Sequence, residues 1–322
     1  MTAQPARAAE AEPVSLYRSR PLRVGIQLPE VEREVRWPEY LAMAQRAEAV
    51  GFDTLWLGDH LLYRFADGSS KGPWEAWTML SALAASTSRI RLGPLVASTA
   101  FHAPAMLAKL AATVDEVSGG RLVLGLGAGW NETEFRAFGF PFDHRIDRFE
   151  EAFTIIRTLL REGAIDFDGR WYQARDCELL PRPARPGGPP LLIGSIGPRM
   201  LRITLPHVDA WNVWYADVDN SPTGLEPRLK LVDEVCAEVG RDPASVERTV
   251  AVLVRLPGGR GRVQGDFRQA TIQALTGTSR EIAAGLRAYA HIGVAEVQLV
   301  VDPITLESIE TLGGVLQELD SA

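Results

Sequence analysis

The amino-acid sequence predicts a single (β/α)8 barrel with insertions, and three observations lead to this fold class. Apolar, strand-like segments alternate with helical segments along the 322 residues, and the strand-like segments number eight. Several of them, such as LVLGL at 122–126, are apolar at almost every position, which is typical of parallel strands buried on both faces. Eight strands alternating with helices favour a closed barrel over an open, doubly wound sheet, and chains of this length often form one barrel domain.

The first half of the chain supplies four predicted strands, at 22–28, 53–60, 89–96 and 121–126. The first helix is predicted to begin at Pro38 and to end before Gly51, because proline favours the first helical turn and glycine the residue after the last. The other helices predicted here lie at 74–87, 104–118, 131–138 and 147–162.

The second half begins with a break in this alternation, at 163–190. This stretch contains five prolines and no helical period, so it is predicted to be an insertion that contains a hairpin. A helix is expected from Pro198, the last helix ends near Glu318, and a second irregular stretch is expected at 256–266. The remaining four predicted strands lie at 191–195, 209–214, 248–255 and 295–301.

Composition narrows the function classes. The net charge of −7 argues against a surface for nucleic acid or anionic membranes. Residues 1–20 lack the apolar core of a secretion signal, so we expect a disordered tail followed by one domain over 21–322. Cys177 and Cys236 lie far apart and match no metal-ligand spacing; two reduced thiols in a cytoplasmic protein are expected.

A barrel of this kind places its chemistry at the carboxyl ends of its strands. The second predicted strand ends at Asp59 and His60; a carboxylate next to an imidazole can orient a general acid or base, although a histidine capping a strand is the open alternative. The third ends in a proline followed by the small residues at 97–100, including Ser98. This surface suits a flat ligand, and an ordinary polar loop is the alternative.

Two glycine-rich turns follow the fourth and fifth strands. In GLGAGWN (125–131) the glycine spacing is G-x-G-x-G and Trp130 stands where a dinucleotide fingerprint needs its third glycine, which disfavours a Rossmann site. These glycines either let a ligand approach the backbone or permit close packing. In GSIGP (194–198), Ser195 and the helix that begins at Pro198 are typical of a phosphate-binding turn.

Other catalytic motifs do not occur. The sequence contains no G-x-x-x-x-G-K-[ST], no H-E-x-x-H and no G-x-S-x-G, and its five histidines are dispersed. The sequence therefore predicts no metal centre and disfavours a metallohydrolase.

Several stretches resemble the bacterial-luciferase-like flavin and deazaflavin oxidoreductases, and are most similar to the coenzyme F420-dependent branch. They include LWLGDH, SGGRLVLGLGAGWNETEFRAFG and PLLIGS, and the resemblance covers about residues 20–215. It implies a barrel with coenzyme F420, or alternatively FMN, across its mouth, and a non-prolyl cis peptide between Leu95 and Val96 that braces the ring. The glycines of strand four would then clear space for this flat cofactor.

The resemblance also implies roles for individual residues. His60 is the predicted catalytic residue and takes a proton from the substrate. The predicted cofactor-binding residues are Asp59, Leu95, Val96, Ser98, Gly127, Ala128, Gly129, Trp130, Asn131, Gly194, Ser195, Ile196, Gly197 and Pro198. The arginines expected to meet an anionic cofactor tail are Arg145, Arg148, Arg199 and Arg202.

One residue departs from the pattern of the F420-dependent sugar-phosphate dehydrogenases, which have a glutamate after the glycines of strand four. This sequence has Trp130 at that position, which argues against a sugar-phosphate substrate. With Trp74, Phe101 and Trp214, it predicts an apolar pocket for a small molecule.

The predicted function is therefore F420-dependent hydride transfer between the deazaflavin and a small organic substrate. One alternative is an FMN-dependent monooxygenase that uses reduced flavin and O2 and needs a separate reductase. Another is a non-catalytic flavin-binding protein. The resemblance further implies a homodimer.

Overall fold

The computed structural model of the protein describes residues 20–261 and 272–321. Its strands, numbered along the chain, are β1 Arg23–Gln27, β2 Thr54–Leu57, β3 Tyr63–Arg64, β4 Ser70–Lys71, β5 Arg91–Pro94, β6 Ala97–Ser98, β7 Leu124–Gly127, β8 Ala164–Asp168, β9 Gln173–Glu178, β10 Leu191–Gly194, β11 Ala210–Val213, β12 Glu247–Arg255 and β13 Val294–Asp302. Its α-helices are α1 Trp37–Val50, α2 Ala76–Ser86, α3 Pro104–Ser118, α4 Glu132–Phe138, α5 Arg145–Arg161, α6 Pro198–Thr204, α7 Pro222–Glu238, α8 Ser279–His291 and α9 Leu306–Asp320.

The central sheet is a nearly closed barrel of parallel strands in the order β5-β2-β1-β13-β12-β11-β10-β7-β6. β5 and β6 are the two halves of the third predicted strand, separated by Leu95 and Val96. An isolated parallel bridge between Leu92 and Leu122 links β5 to the residues before β7. Counting β5 and β6 as one strand, the eight-stranded barrel predicted from the sequence is confirmed.

The helices pack around the barrel; α1 and α3 end where the sequence predicted, whereas α7 and α8 were not predicted. α1 ends at Val50; the next residue, Gly51, has a left-handed φ of 104°, and its N–H donates to Ala47 O. α3 covers the predicted 104–118. Inside the barrel, Trp56, Val123 and Leu192 form an apolar cluster. Within the two described ranges, no helix combines the length and apolarity needed to cross a bilayer.

The insertion at 163–190 contains the predicted hairpin, formed by the antiparallel strands β8 and β9. The Glu151 carboxylate of α5 fixes the hairpin turn, because it accepts the backbone N–H groups of Arg170, Trp171 and Tyr172 at 2.8, 2.8 and 2.9 Å. A second small hairpin, β3 with β4, was not predicted.

Two predictions fall partly outside the described residues: the tail over 1–19 and positions 262–266 of the irregular stretch. Residues 256–261 contain neither helix nor strand, as predicted. Arg20, which the prediction placed in the tail, forms ion pairs with Asp53 and Asp320 at 3.3 and 2.8 Å.

A buried carboxylate occupies the amino-terminal end of the barrel. Glu296 of β13 pairs with Arg91 and, at 3.2 Å, with Arg23, and accepts a hydrogen bond from Trp56 Nε1 at 3.0 Å. Burial raises the pKa of Glu296, but the charges of Arg91 and Arg23 outweigh it and hold the pKa below its usual value. Because the folded-state pKa is lowered, this carboxylate stabilises the fold above the unfolded-state pKa and loses that contribution as pH falls through the folded-state pKa.

We expect Glu296→Ala to reduce the free energy of unfolding by about 3–5 kcal/mol, because two guanidinium groups lose their buried partner. Urea denaturation at neutral pH measures the loss. Glu310→Ala is the matched control, since Glu310 pairs with Arg46 at 3.2 Å on the surface and such pairs contribute little. Equal effects of the two substitutions would contradict the structural role of Glu296. The difference from wild type should shrink as pH falls below the usual glutamate range.

Candidate active site

A cavity of about 840 Å³ opens at the carboxyl ends of the barrel strands, where this architecture places active sites. Its size lies within the range of small-molecule and cofactor sites. Every predicted site residue except Asn131 and Pro198 lines it: Asp59, His60, Leu95, Val96, Ser98, Gly127, Ala128, Gly129, Trp130, Gly194, Ser195, Ile196 and Gly197. Charged and polar lining residues that the sequence analysis did not single out include Gln27, Glu30, Glu134, Asn212, Asp217 and Arg255.

Asn131 and Pro198 support the site from outside the lining. Asn131 is buried; its Oδ1 accepts the Thr133 N–H at 3.2 Å, and its Nδ2 donates to Leu62 O at 2.9 Å. The side chain therefore caps α4, as asparagine commonly does, and ties this helix to the segment after His60. Pro198 is the first residue of α6, so its ring starts the helix.

The peptide bond between Leu95 and Val96 is cis, as the family resemblance implied. The nearby glycines make room for this segment. A Cβ added to Gly127 would lie 2.7 Å from Val96 Cγ2, and one added to Gly194 would lie 3.0 Å from both Val96 methyl carbons. A Cβ on Gly125 would lie 2.2 Å from Pro94 O. The nearest neighbour of an added Cβ at these glycines is therefore the protein's own chain, and their role in clearing space for a cofactor stays a prediction.

Asp59 supports the same segment. Its buried Oδ2 accepts the Ser98 backbone N–H at 2.9 Å and lies 3.8 Å from His102 Nε2. The sequence paired Asp59 with His60, but the Asp59 carboxylate is hydrogen-bonded to the backbone after the cis bond. Ser98 Oγ is buried with no hydrogen-bond partner among the described residues, and Ser98 lines the cavity.

His60 is held by carboxylates from distant parts of the chain. Its Nδ1 lies 2.9 Å from Glu134 Oε1, and its Nε2 lies 3.9 Å from Glu30 Oε1. Burial lowers the pKa of His60, but the hydrogen bond with Glu134 and the charges of Glu30, Glu134 and Asp59 outweigh it and raise the pKa above its usual value. The ring of Trp130 packs edge-on against the imidazole, with centroids 5.4 Å apart.

Glu30 and Glu134 are the cavity residues next to His60 that sequence reasoning missed. Glu134 lies on α4, 74 residues after His60, and Glu30 lies on the loop after β1. One local signal was available: Glu134 stands three residues after the N-cap Asn131, the position of a capping-box glutamate. That pattern predicts a cap, whereas this carboxylate turns to His60.

Two of the four aromatic residues predicted to line the pocket do so. Trp130 and Trp214 line the cavity. Trp74 does not; its side chain is half-exposed and its Nε1 donates to Val35 O at 2.8 Å. Phe101 is buried and packs against Phe135 with ring centroids 5.0 Å apart, so it belongs to the packed interior and does not line the cavity.

Of the four predicted arginines, only Arg145 lines the cavity. Its Nη1 donates to Gly129 O at 2.5 Å and its guanidinium lies 4.3 Å from the centre of the Phe142 ring. The other three pair with carboxylates away from this lining: Arg148 with Asp143, Arg199 with Asp147 and Glu150, and Arg202 with Glu238.

Residues 22–258 match the family model of the luciferase-like monooxygenases. The chain belongs to this family. The curated relatives of the chain bear the names of reductases and monooxygenases. A 5,10-methylenetetrahydromethanopterin reductase of Archaeoglobus fulgidus is 34% identical over 53% of the chain and 47% of its own length. A pyrimidine monooxygenase of Methylorubrum extorquens is 32% identical over 53% of the chain and 47% of its own length.

A phthiodiolone/phenolphthiodiolone dimycocerosates ketoreductase of Mycobacterium bovis is 31% identical over 67% of the chain and 60% of its own length. The chain thus spans about half the length of the curated relatives it matches. Among solved structures, an F420-dependent secondary alcohol dehydrogenase bound to an F420–acetone adduct superimposes with a TM-score of 0.78. It is 19% identical, over 92% of this chain and 99% of that one, which supports the luciferase-like fold.

Proposed function

We propose that the protein is an F420-dependent oxidoreductase that transfers a hydride between the deazaflavin and a small organic substrate. The observation that carries the proposal is His60, an imidazole held between buried carboxylates on the wall of a cofactor-sized cavity. Hydride transfer to a carbonyl, or from an alcohol, needs such a group for the accompanying proton. The names of the reductase and ketoreductase relatives agree with this chemistry.

The residues of the cavity fit a flat, phosphorylated cofactor. Ser98 Oγ is a buried hydroxyl with no hydrogen-bond partner among the described residues, and residues 127–130 line one wall of the cavity. Ser195 and Gly197 form a tight turn in which the Gly197 N–H donates to Ser195 Oγ at 3.3 Å. We assign the ring to the Ser98 and Gly127 side, and the phosphate to the Ser195 turn. A bound deazaflavin supplies the hydride acceptor in one direction and the donor in the other.

The residues of the chain transfer the proton and form the walls around the substrate. When an alcohol is oxidised, its O–H proton passes to His60 Nε2 as the C–H hydrogen leaves as hydride; when a carbonyl is reduced, Nε2 returns the proton to oxygen. Trp130 and Trp214 form apolar walls, which orient the substrate and exclude water.

The FMN-dependent monooxygenase is the second candidate, and the family description and the pyrimidine monooxygenase relative favour it. It would need a separate reductase to supply reduced flavin. A non-catalytic flavin-binding protein is less well supported, because nothing in mere binding requires two buried carboxylates around His60. A homodimer stays a prediction from the family resemblance.

Titration with F420 and, separately, with FMN distinguishes the candidates. We expect F420 to bind more tightly and to quench intrinsic tryptophan fluorescence, because Trp130 and Trp214 line the cavity. Trp130→Phe should reduce the quenching, whereas the control Trp74→Phe, outside the lining, should leave it unchanged. Tighter binding of FMN would overturn the proposal in favour of the monooxygenase, and binding of neither would overturn both.

A further inference from the structure

We propose that Glu134 and Glu30 hold His60 between them as one proton-carrying unit, in which Glu134 is the positioning residue that fixes the tautomer and Glu30 faces the reactive nitrogen. Asp59, the neighbour in sequence, lies outside this unit. The use of the proton rests on the proposed function, but the arrangement of the three side chains does not.

Glu134 is anchored before it meets His60. Its side chain is only 1% exposed. Oε2 accepts the Leu61 N–H at 2.9 Å and, more weakly, the Leu62 N–H at 3.5 Å. Oε2 thus acts as an acceptor, and an ionised carboxylate can only accept hydrogen bonds. Oε1, 2.9 Å from Nδ1, therefore requires a proton on Nδ1, and neutral His60 keeps its lone pair on Nε2.

Nε2 is the nitrogen of His60 that can react with a ligand. Glu30 Oε1 lies 3.9 Å from Nε2, too far for a hydrogen bond but near enough to stabilise a charge. Tyr63 Oη donates to the same oxygen at 2.6 Å, and Gln27 Nε2 donates to the other at 3.0 Å. Glu30 is thus fixed in place, and Nε2 can take a proton from a ligand while both carboxylates stabilise the resulting imidazolium.

The groups facing His60 are consistent with this division of roles. The ionisable ones are Glu30, Asp59 and Glu134, together with the phenol of Tyr63, whose ring centroid lies 4.9 Å away. Asp59 adds charge but no hydrogen bond to the ring, because its Oδ2 accepts from the Ser98 backbone. The tautomer accordingly depends on Glu134, whereas the charge of His60 depends on all three carboxylates.

The test is ¹⁵N NMR of the histidine side chains of the full-length protein without cofactor, with His60→Ala assigning the signals. We expect wild-type His60 to be the Nδ1–H tautomer when neutral. Glu134→Gln should lower the pKa of His60 and give a mixture of tautomers. Glu132→Gln on the same helix, an exposed residue paired with Arg136, is the control and should change neither.

Glu30→Gln provides an independent test if Glu134→Gln does not fold. It should lower the pKa of His60 while leaving the Nδ1–H tautomer intact. An Nε2–H tautomer in the wild type, or a foldable Glu134→Gln with wild-type tautomer and pKa, would overturn the proposal. Loss of the tautomer in Glu30→Gln would do the same. These signals need no cofactor, so failure to use F420 would refute the proposed function alone.

Discussion

Replacing His60 with alanine should reduce turnover by about 100- to 10,000-fold, the usual contribution of a positioned acid or base, and should leave F420 binding nearly intact. The imidazole is the one histidine that lines the cavity in the described part of the chain. The measurement is the rate of F420 reduction with secondary alcohols, or of reduced F420 oxidation with ketones and activated alkenes, beside a fluorescence titration of cofactor binding.

His291→Ala is the control for this substitution, because His291 is exposed and hydrogen-bonds Arg287 O within α8. Turnover that survives in His60→Ala would show that another group handles the proton. Equal losses in both variants would point to a general effect of histidine replacement.

The direction of the pKa shift also fixes the expected pH dependence. The pKa of His60 is raised, because the hydrogen bond with Glu134 and the nearby carboxylates outweigh burial. Alcohol oxidation needs the neutral imidazole, so its rate should fall as pH drops below this raised pKa. Carbonyl reduction needs the imidazolium, so its rate should fall as pH rises above it.

The barrel could be predicted from the sequence because its signals are local. Runs such as 122–126 and helix ends such as Gly51 report burial and termination within a few residues. The position of His60 at a strand end followed from the same alternation. The two-residue strands β3 and β4 carry too short a pattern to predict.

The partners of His60 could not be predicted, because the contacts cross the fold. Glu30 and Glu134 approach the ring only once β1 has paired with β2 and β7 has closed the barrel against β5 and β6, and sequence adjacency pointed to Asp59 instead. For the same reason Trp74 and Phe101 were placed in the pocket by residue type, whereas loop geometry decides which aromatic rings face inward. The local pattern thus predicts elements and strand ends, and tertiary packing selects which side chains meet there.

Gly127, the last residue of β7, is the position of the second substitution with a large expected effect. Gly127→Ala should weaken cofactor binding roughly 5- to 150-fold, since its new methyl group would overpack against Val96 at a typical cost of about 1–3 kcal/mol. The added Cβ would lie 2.7 Å from Val96 Cγ2. Because Val96 itself lines the cavity, the segment after the cis bond must shift, and binding must push it back. Fluorescence titration measures the loss.

A double variant separates the two explanations for this glycine. Val96→Ala removes the methyl groups that the new Cβ would meet, so Gly127→Ala should cost far less binding in the Val96→Ala background than in the wild type. Such coupling is expected for residues that are in contact. If Gly127→Ala is equally harmful in both backgrounds, the cofactor itself needs the bare backbone at Gly127, and the packing explanation is wrong. If the loss disappears with Val96→Ala, Gly127 acts on the cofactor through Val96.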